Sequence, residues 1–188
     1  MSMLGISFLN KIVTEKEIIN SNEILDKLRD NVIKALHQSV DKFNAKDGMD
    51  IALSVIDYDN NTVYFSGGNN PLYHIRNGEA TVYKADKMPI AIYDKMEPFT
   101  YSEIKFEKGD LIYMFSDGYP DQFGGKKGKK FMSKRFRKLL VSIADKKMDE
   151  QKEILNQTII KWQSYPDLRH KKEQFEQIDD IVVIGVRL

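Results

Sequence analysis

Cysteine is missing altogether from the 188 residues of this chain. That excludes disulfide bonds, a thiolate nucleophile and cysteine-bound zinc, and it fits a reducing compartment. Histidine is scarce: His37, His74 and His170 lie far apart on an expected helix, strand and polar loop. No HxxxH or HExxH spacing occurs, which argues against zinc chemistry and against a histidine acid–base role. A Gly-x-Ser-x-Gly elbow is also lacking, against a serine hydrolase of that kind. No apolar run approaches a membrane span, and the first residues lack the basic-then-apolar layout of a signal peptide. The expectation is a soluble, cytoplasmic protein without direct membrane contact. Neither sign of charge dominates, with Lys and Arg numbering 29 against 28 Asp and Glu, so no general drive toward nucleic acid exists.

What is present is a globular pattern. Hydrophobic residues make up 41% of the chain and come in ordered runs, and the length suffices for one domain with its own core. Residues 1–188 are read as a single domain, without internal repeat or long linker. Met1 to Val13 reads as a helix through Met1, Leu4, Phe8 and Ile12, with Ile6, Leu9 and Val13 widening the stripe. Ser21 or Asn22 is the expected N-cap of a second helix to about Gln38, with Leu25, Leu28, Val32 and Leu36 as its buried face.

From Met49 the period changes to two. Ile51 to Ile56 and Thr62 to Phe65 read as a hairpin around a turn at Asp57 to Asn61. Gly67-Gly68-Asn69-Asn70-Pro71 is a breaker cluster. Leu72 to Ile75 and Ala80 to Tyr83 pair across Arg76-Asn77-Gly78, and strands follow at about Thr100 to Phe106 and at Leu111 to Phe115. Ser133 to Ala144 and Asp149 to Gln163 read as amphipathic helices. Asp180 to Val186 closes the chain as a strand, and because Ile181 to Val186 is apolar on both faces apart from Gly185 it is expected in the centre of its sheet. This order predicts an α+β fold with antiparallel sheets.

Two carboxylates stand out where apolar strands meet loops: Asp117 after Leu111 to Phe115, and Asp179 or its neighbour Asp180 before Ile181 to Ile184. Carboxylates delivered by rigid strands, without cysteine or metal-spaced histidine, point to hard-cation chemistry. At the start of a strand Asp179 and Asp180 face opposite sides, and periodicity does not choose between them. Asp57 to Thr62 resembles a calcium loop or an Asp-x-Asp-x-Thr nucleophile. Thr62 and Gly68 occupy the calcium loop's Gly and Glu positions, and Asn61 the place of the Thr, so a polar hairpin turn is expected. The run Gly124 to Lys130 is not a P-loop; Phe123 stands where its first Gly belongs. It is read as a flexible basic loop, and Lys126, Lys127, Lys129 and Lys130 are candidates for contact with an anionic or phosphorylated substrate.

Several stretches together resemble one family. In order they are Met1-Ser2-Met3-Leu4-Gly5, Asp47-Gly48-Met49-Asp50-Ile51-Ala52, Phe65-Ser66-Gly67-Gly68-Asn69-Asn70-Pro71-Leu72, Ser116 to Gly125, and Asp179 to Gly185. The family is the metal-dependent serine/threonine protein phosphatases (PPM), in the bacterial branch typified by stage II sporulation protein E and the stress-response regulator phosphatases. The resemblance implies an α-β-β-α sandwich carrying two divalent cations, Mn²⁺ or Mg²⁺. Asp117 then matches the metal-binding Asp of the Ser/Thr-Asp-Gly motif, and Asp179 that of the closing Asp-Asn/Asp motif. The implied reaction is hydrolysis of phosphoserine or phosphothreonine by a metal-activated water, with no protein nucleophile. The implied substrate is a phosphorylated regulatory protein, such as a STAS-type anti-sigma-factor antagonist. Sensor domains are often attached N-terminally in this branch.

One departure from the family is present. An Asp and a Gly that hold its metals lie in a motif resembling Asp-x-x-Gly-His-Gly-x-Pro-Gly-Ala-x-Met-Ser-Met, and this chain begins at the final Met-Ser-Met. The expectation is the C-terminal portion of the family domain without its N-terminal strands. Metal binding is then weakened, activity of the chain alone is doubtful, and sheet edges are left of the kind that pair two chains into a homodimer. The alternatives are a pseudophosphatase that binds a phosphorylated partner without turnover, and a structural or dimerisation module.

Overall fold

The computed structural model describes residues 2–15, 19–38, 48–166 and 173–188. Met1, Asp47 and His170, used in the sequence reading, lie outside them. The chain divides into two compact units, Met1–Leu72 with Val82–Glu107, and Tyr73–Thr81 with Lys108–Leu188.

In the first unit, α1 (Ser2–Asn10) runs into a π-helical turn at Lys11–Glu15, and α2 is Ser21–Ala35. The sheet order is β1-β2-β5, from Ile51–Asp57, Thr62–Gly68 and Ser102–Lys105. Register is antiparallel throughout, with Ile51 opposite Gly68 and Thr62 opposite Lys105. The α2 stripe Ile24, Leu25, Leu28 and Val32 is buried with Ile12, Met88, Ile90 and Phe99, and Ile51, Leu53 and Val55 of β1 pack on it. Burial of each such side chain is worth about 1.5–3 kcal/mol, which is why these helices hold without good caps.

Several helix details differ from the sequence reading. Asn20, not Ser21 or Asn22, sits at the N-cap position of α2, without a side-chain cap bond. The Ser21 hydroxyl is instead buried against Ser66 Oγ at 2.8 Å. Because α2 ends at Ala35, Leu36 leaves the stripe and is 39% exposed. On α1 the packed face is Gly5, Phe8 and Leu9, continued by Ile12 of the π turn, so Ile6 on the other side is 59% exposed. The wider π turn breaks the 3.6-residue period, and Val13 is exposed. The glycine-rich breaker also begins later than expected, since β2 continues through Gly68.

In the second unit the sheet order is β4-β3-β6-β9, from Glu79–Tyr83, Leu72–Arg76, Leu111–Phe115 and Val183–Arg187. The β3–β4 turn places Asn77 and Gly78 at φ 50 and 77, the left-handed pair that a tight hairpin requires. β6 is inside the sheet, and four of its five residues are buried. Beyond it come α3 (Gly118–Asp121), the short pair β7 (Phe123–Gly124) and β8 (Lys129–Lys130), α4 (Ser133–Ser142) and α5 (Met148–Gln163). The last strand corrects an expectation: among the described residues β9 is an edge, not central, and Val182 and Ile184 are half exposed. Its start at Val183 also removes Asp179 and Asp180 from strand alternation.

Aromatic packing fixes the end of β6. Phe115 meets Tyr73 and Phe136 edge-on at ring distances of 4.7 and 4.9 Å. Tyr119 packs on Phe136 at 4.6 Å and on Phe131 at 5.3 Å, and its hydroxyl donates to the Leu155 carbonyl at 2.8 Å. Phe136 is fully buried and touches the rings on both sides of Asp117. Phe136→Ala is expected to cost about 3–5 kcal/mol in a denaturant titration, whereas Arg137→Ala on the same helix should cost well under half of that.

Candidate metal centre

β6 is pinned at both ends. At its start, buried Asp110 receives Arg76 Nη2 at 2.6 Å and lies 2.8 Å from His74 Nε2, and its backbone carbonyl accepts from Leu188 N at 2.8 Å. His74 is thereby a partner of a buried carboxylate. At the other end the chain leaves Phe115 through Ser116 and Asp117 into α3.

Ser116 is the clasp. Its hydroxyl donates to the Asp180 carbonyl at 2.7 Å and accepts from Val182 N at 3.0 Å, while Ser116 N donates to Val182 O at 3.0 Å. Gly118 completes the contact, since a Cβ there would stand 2.3 Å from the Asp180 carbonyl oxygen. The loop carrying Asp117 and the segment carrying Asp179 therefore touch backbone to backbone. Both carboxylates are exposed. Asp117 occupies the position before α3 at φ −68 and ψ −14 and makes no cap bond through its side chain. Asp179 Oδ1 accepts from Asp180 N at 2.7 Å, and its carbonyl accepts from Gln177 Nε2 at 2.9 Å. Burial raises the hydroxyl pKa of Tyr119, two residues beyond Asp117, so the phenol stays neutral.

Exposed carboxylate oxygens on two clasped segments suit a hard divalent cation in kind. In number they are few: among the described residues no three or more His, Asp or Glu side chains converge as ligands. Asp117 and Asp179 would hold a cation together with water or phosphate oxygens. The Asp57 turn takes the expected structural form, with Asp57 Oδ1 accepting from Asn60 N at 3.0 Å and Oδ2 from Asn60 Nδ2 at 2.8 Å.

The four candidate lysines part company. What the sequence suggested as a flexible loop is the β7–β8 hairpin, with Phe123 opposite Lys130. Lys130 pairs with Asp121 at 2.6 Å, whereas Lys126, Lys127 and Lys129 line a cavity against α4 and α5. Two side chains that hold the ends of β6 escaped the sequence reading. Ser116 was visible only as part of Ser-Asp-Gly, and Asp110 only as a loop acid before a strand.

The comparisons with known proteins follow this geometry. A family model, stage II sporulation protein E (SpoIIE), matches residues 2–188. The chain belongs to the SpoIIE family. Its fold is similar to the SiaA-PP2C domain of Pseudomonas aeruginosa, with a TM-score of 0.82 and 24% identity over 100% of this chain and 68% of that one. It is also similar to the phosphatase domain of SpoIIE from Bacillus subtilis, with a TM-score of 0.59 and 18% identity over 98% and 73%. A third likeness is to the serine/threonine phosphatase PstP/Ppp of Mycobacterium tuberculosis, with a TM-score of 0.59 and 15% identity over 98% and 80%. A search of curated proteins gave no match. The α+β expectation is thus met by a PP2C-type phosphatase fold.

Removing the clasp should loosen this rim selectively. Ser116→Ala is expected to destabilise the chain by about 1–3 kcal/mol. Hydrogen exchange should accelerate at Val182 N and leave the Asp110 end of β6 protected; equal acceleration at both ends would contradict the clasp.

Proposed function

We propose that this SpoIIE-family chain is a protein serine/threonine phosphatase domain that hydrolyses phosphoserine or phosphothreonine on a regulatory protein in bacterial signalling. The observation that carries the reading is the Ser116 clasp, which seats the Asp117 loop and the Asp179 segment against each other at one rim. Family membership supports it, and one of the similar folds is that of a serine/threonine phosphatase. Asp117 and Asp179 would hold Mn²⁺ or Mg²⁺, which when bound supplies Lewis-acid activation of a water and offsets charge on the phosphoryl oxygens. Water adds to phosphorus as the bond to the serine or threonine oxygen breaks, and that oxygen leaves with a proton. The chain's own part is to hold the Asp117 loop against the segment that carries Asp179, which the clasp and the Phe115–Phe136–Tyr119 packing support. A STAS-type anti-sigma-factor antagonist is the proposed substrate class.

Among the described residues few ligands converge, and a second reading consistent with that is binding of a phosphorylated partner without turnover. The two readings separate in one assay, manganese-dependent phosphate release from a phosphoserine protein by the full chain. Asp117→Asn and Asp179→Asn should each lower the rate by roughly 100-fold or more, while Asp180→Asn stays within a few-fold. Binding without metal-dependent release would select the second reading. Full activity in Asp179→Asn with loss in Asp180→Asn would reverse the assignment of the closing pair.

A further inference from the structure

A second site lies in the same unit, in a cavity of about 690 Å³ between the β7–β8 hairpin and one face each of α4 and α5. On α4 the lining positions are 135, 138, 139 and 142, and on the α5 side 158, 161, 162 and 165. Both sets follow the i, i+3, i+4, i+7 spacing of a single helix face. These faces lie beside the core stripes, Phe136 and Leu140 on α4 and Leu155 and Ile159 on α5, and three of their eight positions, Arg135, Lys138 and Lys161, are cationic. Lys126, Lys127 and Lys129 of the hairpin, Arg135 and Lys138 of α4, and Lys161 of α5 surround the cavity, and none of its lining residues among those described is Asp or Glu. Six like charges around one space repel one another, and an anion of several charges relieves that repulsion.

The aromatic side of the cavity is also specific. The Arg135 guanidinium lies 4.3 Å from the ring centre of Trp162 and 5.4 Å from that of Phe131. Trp162 is itself held: its Nε1 donates to the Gln122 carbonyl at 3.1 Å, and its carbonyl accepts from Gly125 N at 2.8 Å. Gly124 and Gly125 serve this contact, because a Cβ on either would stand within 3 Å of Trp162 atoms. An arginine pinned on a fixed indole presents its planar fork ready for bidentate contact with phosphate. The volume lies within the range of small-molecule sites. Tyr165 adds ring surface beside the charges, while Phe131 is buried behind Arg135 and backs Trp162 edge-on.

We propose that this basic, aromatic cavity binds a small molecule bearing several phosphates and a planar ring, the chemistry of a nucleoside polyphosphate. Phosphates meet the hairpin lysines and the Arg135 fork, and the ring lies on the apolar wall. Asp117, Asp179 and Asp180 are not among its lining residues, and the proposal does not rest on phosphatase activity.

Trp162 is the only tryptophan of the chain and reports directly. The full chain, without divalent cations, is titrated with GTP, ATP, inorganic triphosphate and an acidic peptide, following tryptophan emission and heat. The expected result is saturable binding of a nucleoside triphosphate that shifts the emission and exceeds triphosphate alone by several-fold. Lys138→Glu and Lys161→Glu, on exposed positions, should each weaken it roughly tenfold through charge reversal. Arg135→Lys should weaken it although the charge is kept. Asp117→Asn should bind as the parent does, which separates this site from the proposed metal centre. Absence of saturable nucleotide binding, or affinity unchanged in both charge reversals, overturns the proposal. Equal affinity for inorganic triphosphate removes the ring from it, and tighter binding of the acidic peptide replaces the ligand class.

Discussion

The hydroxyl of Ser116 does two things at once, donating to the Asp180 carbonyl and accepting from the Val182 amide. This one group joins the exit of the buried strand β6 to the approach of β9, and the proposed chemistry of the second unit depends on that junction. β6 supplies the rigidity. Apolar burial holds its body, and the Asp110–Arg76–His74 cluster fixes its start. The rings of Phe115 and Tyr119 grip Phe136 on either side of the Asp117 loop. A carboxylate placed in this way pays little entropy on meeting a cation, since its backbone is already ordered.

Much of this was legible in the sequence because local rules decided it. The period-two runs at β1 and β2, the Asn77-Gly78 turn and the polar turn at Asp57 all took their expected form. Asp117 was picked out by its place at a strand end, whereas Asp179 stands ahead of the β9 start at Val183 and was preferred to Asp180 only through the family resemblance. What escaped notice depended on partners distant in sequence. Ser21 looks like a cap until Ser66 is seen beside it. Gly124-Gly125 looks like a flexible loop until Trp162, close to forty residues on, closes against it. Val182 and Ile184 read as central-strand residues because composition records apolarity, not what covers it; among the described residues they stand half exposed on an edge.

The second unit also shows how one stretch can serve two purposes. Residues 117–125 contain the proposed metal-binding Asp117 at one end and the glycine pair that seats Trp162 at the other. Between them Gln122 is fully buried, its carbonyl accepting from Phe131 N and Trp162 Nε1 and its side chain donating to the Glu176 carbonyl. The basic residues that looked like one functional group in the sequence divide accordingly. Lys130 secures Asp121 in an ion pair, and the other three lysines face the cavity.

The central claim is that the Asp117 loop and the Asp179 segment form one cation site. Substoichiometric Mn²⁺ added to the isotopically labelled full chain tests it most directly, because a paramagnetic ion broadens the amide signals nearest to it. The account predicts that Gly118 and Asp180 broaden first and together, and that Asp117→Asn abolishes the effect. Broadening that begins elsewhere, for instance around Asp57 and Asp59, or that touches only one of the two segments, would contradict it.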